Sequence, residues 1–197
     1  MTGYWVFAAF LGNAWTAQND LHLRLQNPAM EVRFTDVVYD DQSAQPPVYY
    51  GARIGHVFAV VPWLAVETEF IHLKTIADEA RLAAPMPRFE MSHGLNLLFI
   101  NAGIRLEPFV LRVGAGPTIP HVETSVRGNS VNAYQVGSLA VQAAGGIEVL
   151  VWRQLFATGE FKWTRTTEQL DVPGGRVDAA FATRHVIVGI GWRKPPH

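Results

Sequence analysis

Apolar and polar positions alternate with period two over most of the chain, the mark of strands with two unlike faces. Eight stretches carry the pattern: residues 4–17, 49–60, 64–76, 89–106, 109–126, 134–151, 155–170 and 179–193. Three connections are tight: Val61-Pro62-Trp63, Glu107-Pro108 and Trp152-Arg153-Gln154. Four are longer, at 18–48, 77–87, 127–133 and 171–178, the last carrying the turn signal Pro173-Gly174-Gly175. Pro62 and Pro108 fall in tight turns, where a missing N–H does no harm. Most stretches exceed the common strand length of about 5–6 residues. This spacing predicts an all-β fold: an eight-stranded antiparallel up-and-down transmembrane β-barrel with short periplasmic turns and longer extracellular loops. No linker and no long helix-period stretch interrupts it, so residues 1–197 read as one domain with a long first extracellular loop, 18–48.

The two faces differ in kind. One carries Leu95, Leu97 and Phe99, then Val113, Ala115 and Ile119, then Val186, Val188, Ile190 and Trp192. The other carries Arg53, Glu67, Glu69, Arg112, Glu148, Glu160, Lys162 and His185 among many glycines. A soluble lipocalin-type barrel would turn the apolar face inward. A membrane barrel turns it outward and fills a narrow lumen with paired charges, because an unpaired buried charge is costly. The tryptophans favour the membrane. Trp5, Trp63, Trp152 and Trp192 map to the tight-turn end, and Trp15 and Trp163 to the loop end, as two interfacial girdles would require. The lumen charges are accordingly expected to form a structural ion-pair network.

Composition narrows the function classes. The net charge of -1 argues against a nucleic-acid partner, and the absence of cysteine removes disulfides, thiolate metal sites and cysteine nucleophiles. No run of about 18 apolar residues marks a transmembrane helix. The apolar N-terminal stretch lacks a basic flank and continues as a strand. It therefore reads as a mature start behind an initiator methionine, with an export signal already removed and the bacterial outer membrane as destination.

A few positions break the apolar face. In the third stretch His72 and Lys74 follow Val66, Thr68 and Phe70. Strict alternation places His93 with Leu95, Leu97 and Phe99 in the fourth, and His121 and Glu123 with Val113 and Ile119 in the fifth. The stretches are sequential, hence neighbours in an up-and-down barrel. Three imidazoles and a carboxylate then share one outward patch near the loop end, with Ser92, Asn96 and Gln135 nearby. Such a set suits a divalent transition metal held by His72, His93 and His121, with Glu123 as ligand or base, or metal-free acid–base work. Lys74 would meet a lipid phosphate as a point charge. A plainer reading makes the same residues an interfacial rim facing headgroups. Pro120 threatens the outward facing of His121 through a bulge. Ser92 and His93 are adjacent in a strand, so alternation points them apart and makes a poor nucleophile–base pair.

Several motifs, in order, resemble the bacterial outer-membrane barrels of the lipid A oxidase family: "RFTDVVYDDQS", "PPVYYGARIG", "EFIHLK", "MSHGLNLLFINAGIRL", "GAGPTIPHVE" and "GEFKWT". The likeness spans most of the chain from Asp20 onward. It implies oxygen-dependent, metal-assisted oxidation of the proximal glucosamine of lipid A to an aminogluconate unit in the outer leaflet. His72, His93 and His121 stand in matching motifs, as do Lys74 and Glu123. The expected surroundings are therefore the lipid bilayer and lipopolysaccharide. The alternative is a non-enzymatic barrel, structural or binding a protein partner through loop 18–48.

Overall fold

The computed structural model describes residues 3–194, so the initiator-methionine expectation lies outside the described residues. Twelve strands follow one another: β1 (Tyr4–Thr16), β2 (Asn19–Gln26), β3 (Ala29–Val37), β4 (Tyr39–Asp40), β5 (Tyr50–Val57), β6 (Leu64–Ala77), β7 (Arg88–Leu106), β8 (Phe109–Val126), β9 (Asn129–Tyr134), β10 (Leu139–Trp152), β11 (Leu155–Val172) and β12 (Gly175–Lys194). Eight of them, β1, β5, β6, β7, β8, β10, β11 and β12, form an antiparallel ring in that order, closed by pairing of β1 with β12. This is the expected barrel.

The other four strands occupy segments expected to be loops. β2 and β3 form a hairpin whose first strand pairs with the upper part of β12, from Gly175 to Ala179. β9 pairs with the top of β8, and β4 with the top of β6. The cause is legible in residues 19–26, NDLHLRLQ, where Leu21, Leu23 and Leu25 alternate with polar residues and all three are buried. The barrel wall therefore continues well above the membrane.

Its interior is layered. At the periplasmic end Val6, Val57, Ala65 and Phe156 make a small apolar cap. Above it lie four acids, Glu67, Glu69, Glu148 and Glu160, and four bases, Arg53, Arg105, Arg112 and Lys162, all buried. Arg112 joins Glu67, Glu148 and Glu160, while Arg53 and Lys162 both reach Glu69 and Glu160. His185 sits just above, its ring nitrogens 3.1 Å from Tyr49 Oη and 2.9 Å from Thr164 Oγ1. Arg105 belongs to this network too, although its place beside the Glu107-Pro108 turn gave no sign of it.

The top layer differs from the expectation of a polar lumen throughout. Leu23, Met86, Phe89, Met91, Leu95, Leu97, Phe99, Val122 and Phe181 pack there as one apolar core. Leu95, Leu97 and Phe99 thus point inward, not to lipid. In β7 the lipid-facing residues are Ile100, Ala102, Ile104 and Leu106, shown by pairing of Ala102 with Val66 and Val113. This core begins beside the charged layer, where Phe99 pairs opposite Glu69, and continues above the membrane, where water surrounds the wall and apolar burial holds it together.

All six tryptophans project outward with between 38% and 62% exposure, forming the two girdles. Between them the outer surface is aliphatic, with Leu11, Ile54, Val113, Val188 and Ile190 exposed. In water such a belt would be an aggregation surface; in hydrocarbon it is the required face.

Candidate metal centre at the outer rim

The site is built by an irregularity in β7. Against β6, the single residue Lys74 stands opposite Ser92, His93 and Gly94, because Leu73 pairs with Leu95 and Thr75 with Met91. Against β8, His121 and Val122 stand opposite Met91, Ser92, His93 and Gly94. Two extra residues preserve the facing of the strand on either side of the bulge while freeing the residues within it. Regular alternation from Leu95 would send His93 inward with Met91. The bulge turns it out instead, leaving its side chain 59% exposed. Gly94 makes this possible with φ +117°, a backbone conformation favoured only by glycine.

β8 stays regular past Pro120. Ile119, His121 and Glu123 keep one face, and His121 pairs with Tyr134 of β9. His121 therefore points outward, with its ring edge-on to that of Tyr134 at 4.4 Å. It lies twelve residues above Phe109. At about 3.3 Å per residue and a tilt near 40°, this is about 30 Å up, above an apolar belt about 25 Å tall. The centre sits at headgroup level.

There one carboxylate oxygen gathers three groups. Ser92 Oγ donates to Glu123 Oε1 at 2.5 Å, while Nδ1 of His93 and of His121 lie 2.5 and 3.3 Å from that oxygen. The two imidazoles are 5.0 Å apart. Burial alone would raise the Glu123 carboxyl; the hydrogen bonds from Ser92 and His93 outweigh it and hold the group below its ordinary value of 4.5. Its other oxygen faces the Arg88 guanidinium at 3.7 Å.

Donor atoms of His93, His121 and Glu123 all lie within 4.8 Å of one another. Metal bonds of about 2.0–2.2 Å need ligand atoms within about 4.2 Å, so at most small side-chain shifts are required. Two imidazoles and one carboxylate are the ligand set of non-haem iron oxygenases, which leave further positions open. The exposed flank of His93 provides that access.

The structure separates two expected members from this trio. His72 pairs across the sheet with Asn96, its Nδ1 2.9 Å from Asn96 Oδ1, and stacks on Tyr50 with centroids 4.9 Å apart. Its Nε2 is buried without a partner. It belongs to a row level with Ile119, below the trio. Lys74 is not free to meet a phosphate. Only 4% exposed, it lies under the segment before β5, with Nζ donating to the Pro46 carbonyl at 3.3 Å. The exposed cation beside the trio is Arg88.

Arg88 was not expected in the site, and Ser92 was expected only nearby, not as a partner of His93. Ser92 was set aside because neighbours in a strand diverge; the bulge brings its Oγ to 3.3 Å from His93 Nδ1. The signal was Gly94, an isolated glycine within a strand pattern. A hydrolase triad still does not result, since the same nitrogen of His93 faces both Ser92 and Glu123. A base needs one nitrogen for the nucleophile and the other for the orienting carboxylate. Gln135 caps another edge, exchanging side-chain hydrogen bonds with the Asp171 backbone.

No protein-family model and no curated protein matches the chain. Among solved structures it is similar to the outer membrane protein OprG of Pseudomonas aeruginosa, with TM-score 0.53 and 8% identity over 99% of this chain and 97% of that one. It also aligns with Neisserial surface protein A (TM-score 0.47, 10% identity, 96% of each chain). The attachment invasion locus protein Ail of Yersinia pestis aligns too (0.45, 11%, 98% of this chain and 99% of that one). The OprG likeness agrees with the ring order and the girdled apolar belt: the chain is a small transmembrane β-barrel of outer-membrane type. Such closed antiparallel barrels with girdles belong to bacterial outer membranes, and that is where this chain resides.

Proposed function

We propose that this barrel oxidises the glucosamine headgroup of lipid A at a metal centre held by His93, His121 and Glu123. The observation that carries the reading is the convergence of two imidazoles and one carboxylate at headgroup level, open to the outside. The resemblance in the motifs around these residues supplies the substrate and reaction. Oxidation takes two electrons and two protons from the free C1 hemiacetal; dioxygen accepts them and becomes hydrogen peroxide. Water then opens the lactone, so the lipid gains one oxygen.

A bound iron(II) would supply electron exchange with dioxygen. The chain's own residues hold and orient. Ser92 fixes the Glu123 carboxylate, Tyr134 braces the His121 ring, and Arg88 offers anionic groups of the glycolipid a planar donor fork. The headgroup reaches the trio from the membrane side, so the lipid need not leave the bilayer.

The test compares lipid A from cells with and without the protein by mass spectrometry. A gain of one oxygen that requires aerobic growth supports the proposal. Unchanged lipid A together with a copurifying protein supports a non-enzymatic barrel that binds through residues 18–48.

A further inference from the structure

On the lipid-facing wall β12, β1 and β5 carry a notch. Ala9 of β1 pairs with Ala52 of β5 on one side and Ile190 of β12 on the other, all pointing outward. Larger residues stand above and below: Leu11 and Tyr50 on the outer side, Phe7 and Ile54 on the periplasmic side. The two alanines therefore leave a groove of about 690 Å³, with almost wholly carbon-lined walls, that continues through shared walls at Ala9, Ala52 and Ile190 into a second recess of about 370 Å³. Ala9 lies between the two girdles, four residues from Trp5 and six from Trp15. The groove thus opens into hydrocarbon; from Ala9 it rises to Tyr50 in the outer leaflet, while the second recess descends to Trp192 of the periplasmic girdle.

Its upper end is Tyr50, and the Tyr50 ring stacks on His72, whose hydrogen-bond partner Asn96 also donates to the Ile119 carbonyl of β8. Ile119 precedes His121 on the same outward face. The groove and the metal centre are therefore two ends of one stretch of wall, with the headgroup level above and the acyl level below. Neighbouring strands are about 4.8 Å apart, so the three steps from β5 to β8 span about 14 Å. A glycolipid with several acyl chains is wide enough to use both.

We infer that the Ala9–Ala52 groove holds one acyl chain of the glycolipid whose headgroup meets His93, His121 and Glu123. It is a positioning site: the chain's burial sets where C1 of the sugar stands. The inference rests on the lipid A reading of the trio. The two alanines are the determinants, since any larger side chain at either position fills the notch. Tyr50 marks the upper limit of the groove and joins it, through His72, to the row beneath the metal centre.

The experiment reconstitutes the whole barrel in nanodiscs with lipid A carrying a diazirine in one acyl chain, and maps photo-crosslinks by mass spectrometry. Labelling is expected to concentrate at Ala9, Leu11, Ala52 and Ile190, several-fold above Val113 and Val141 on the far wall. Ala52→Phe is expected to abolish the excess. Ala102→Phe, an outward alanine of β7 outside the groove, is expected to leave it intact. Even labelling around the wall overturns the inference, as does equal labelling by a phosphatidylethanolamine carrying the same chain. Lipid A oxidation is scored on the same samples. Even labelling with oxidation intact rejects the groove alone; concentrated labelling without oxidation rejects the catalytic reading alone.

Discussion

A Cβ on Gly94 would stand 2.4 Å from Cε1 of His72 and 2.6 Å from its Nδ1. The glycine that lets β7 bulge is thus also the one against which the His72 ring packs. Gly94→Ala faces the positive φ and the contact together. It is expected to destabilise the barrel by about 1–3 kcal/mol in urea unfolding from lipid vesicles. Cobalt titration should show weaker metal binding as His93 loses its place. A variant with unchanged stability and unchanged cobalt affinity would show that the bulge does not build the site.

Ligands and neighbours separate by size of effect. His121→Ala and Glu123→Ala are expected to weaken cobalt binding by more than about 100-fold, and Ser92→Ala by about 10-fold, as removal of an outer-shell partner does. His72→Ala should leave affinity near that of the wild type, because His72 lies outside the trio. Equal losses for His72 and His121 in the same titration would restore the three-histidine centre that the motif spacing implied.

The lumen network answers to a different probe. Arg112→Met leaves Glu67, Glu148 and Glu160 facing a thioether in a buried layer. Loss of one partner from such a network costs about 3–5 kcal/mol. Urea unfolding should register it, while the cobalt affinity of the folded fraction stays unchanged because the trio lies on the outside.

Glu123 sets an acid limit. Its folded-state value lies below the ordinary 4.5, so the ionised form is favoured by folding. The resulting stabilisation is present above about pH 4.5 and is lost as pH falls through the lower folded value. Unfolding midpoints recorded downward from pH 5 should converge for wild type and Glu123→Gln. A gap between the two that widens toward acid would contradict the hydrogen bonding described for Glu123.

Much of this arrangement was legible from alternation alone, because a membrane wall separates lipid from lumen at every second residue. The ring order, the girdles and the eight named lumen residues follow from it. The rule fails where the inward face is itself apolar. The core of Leu95, Leu97 and Phe99 begins inside the membrane, with Phe99 paired opposite Glu69 of the charged layer, so these residues look lipid-facing yet lie inside. It fails again at Ser92–Gly94, where two extra residues reset the direction of His93. His93 does face outward, but the bulge is the reason, and strict alternation had reached that result from a frame of the wrong parity. Lys74 escaped because its cover by Pro46 is a long-range contact with no local signature. Arg105 escaped because it adjoins a turn, where alternation is hard to extend.

The most direct test places purified barrel, iron(II) and lipid A together under air and follows lipid mass for three proteins: wild type, His121→Ala and His72→Ala, each confirmed as folded. A gain of one oxygen is expected with wild type, at least a 100-fold slower gain with His121→Ala, and a clearly measurable gain with His72→Ala. No gain with the wild type, or an undiminished gain with His121→Ala, would overturn lipid A oxidation at the His93–His121–Glu123 centre.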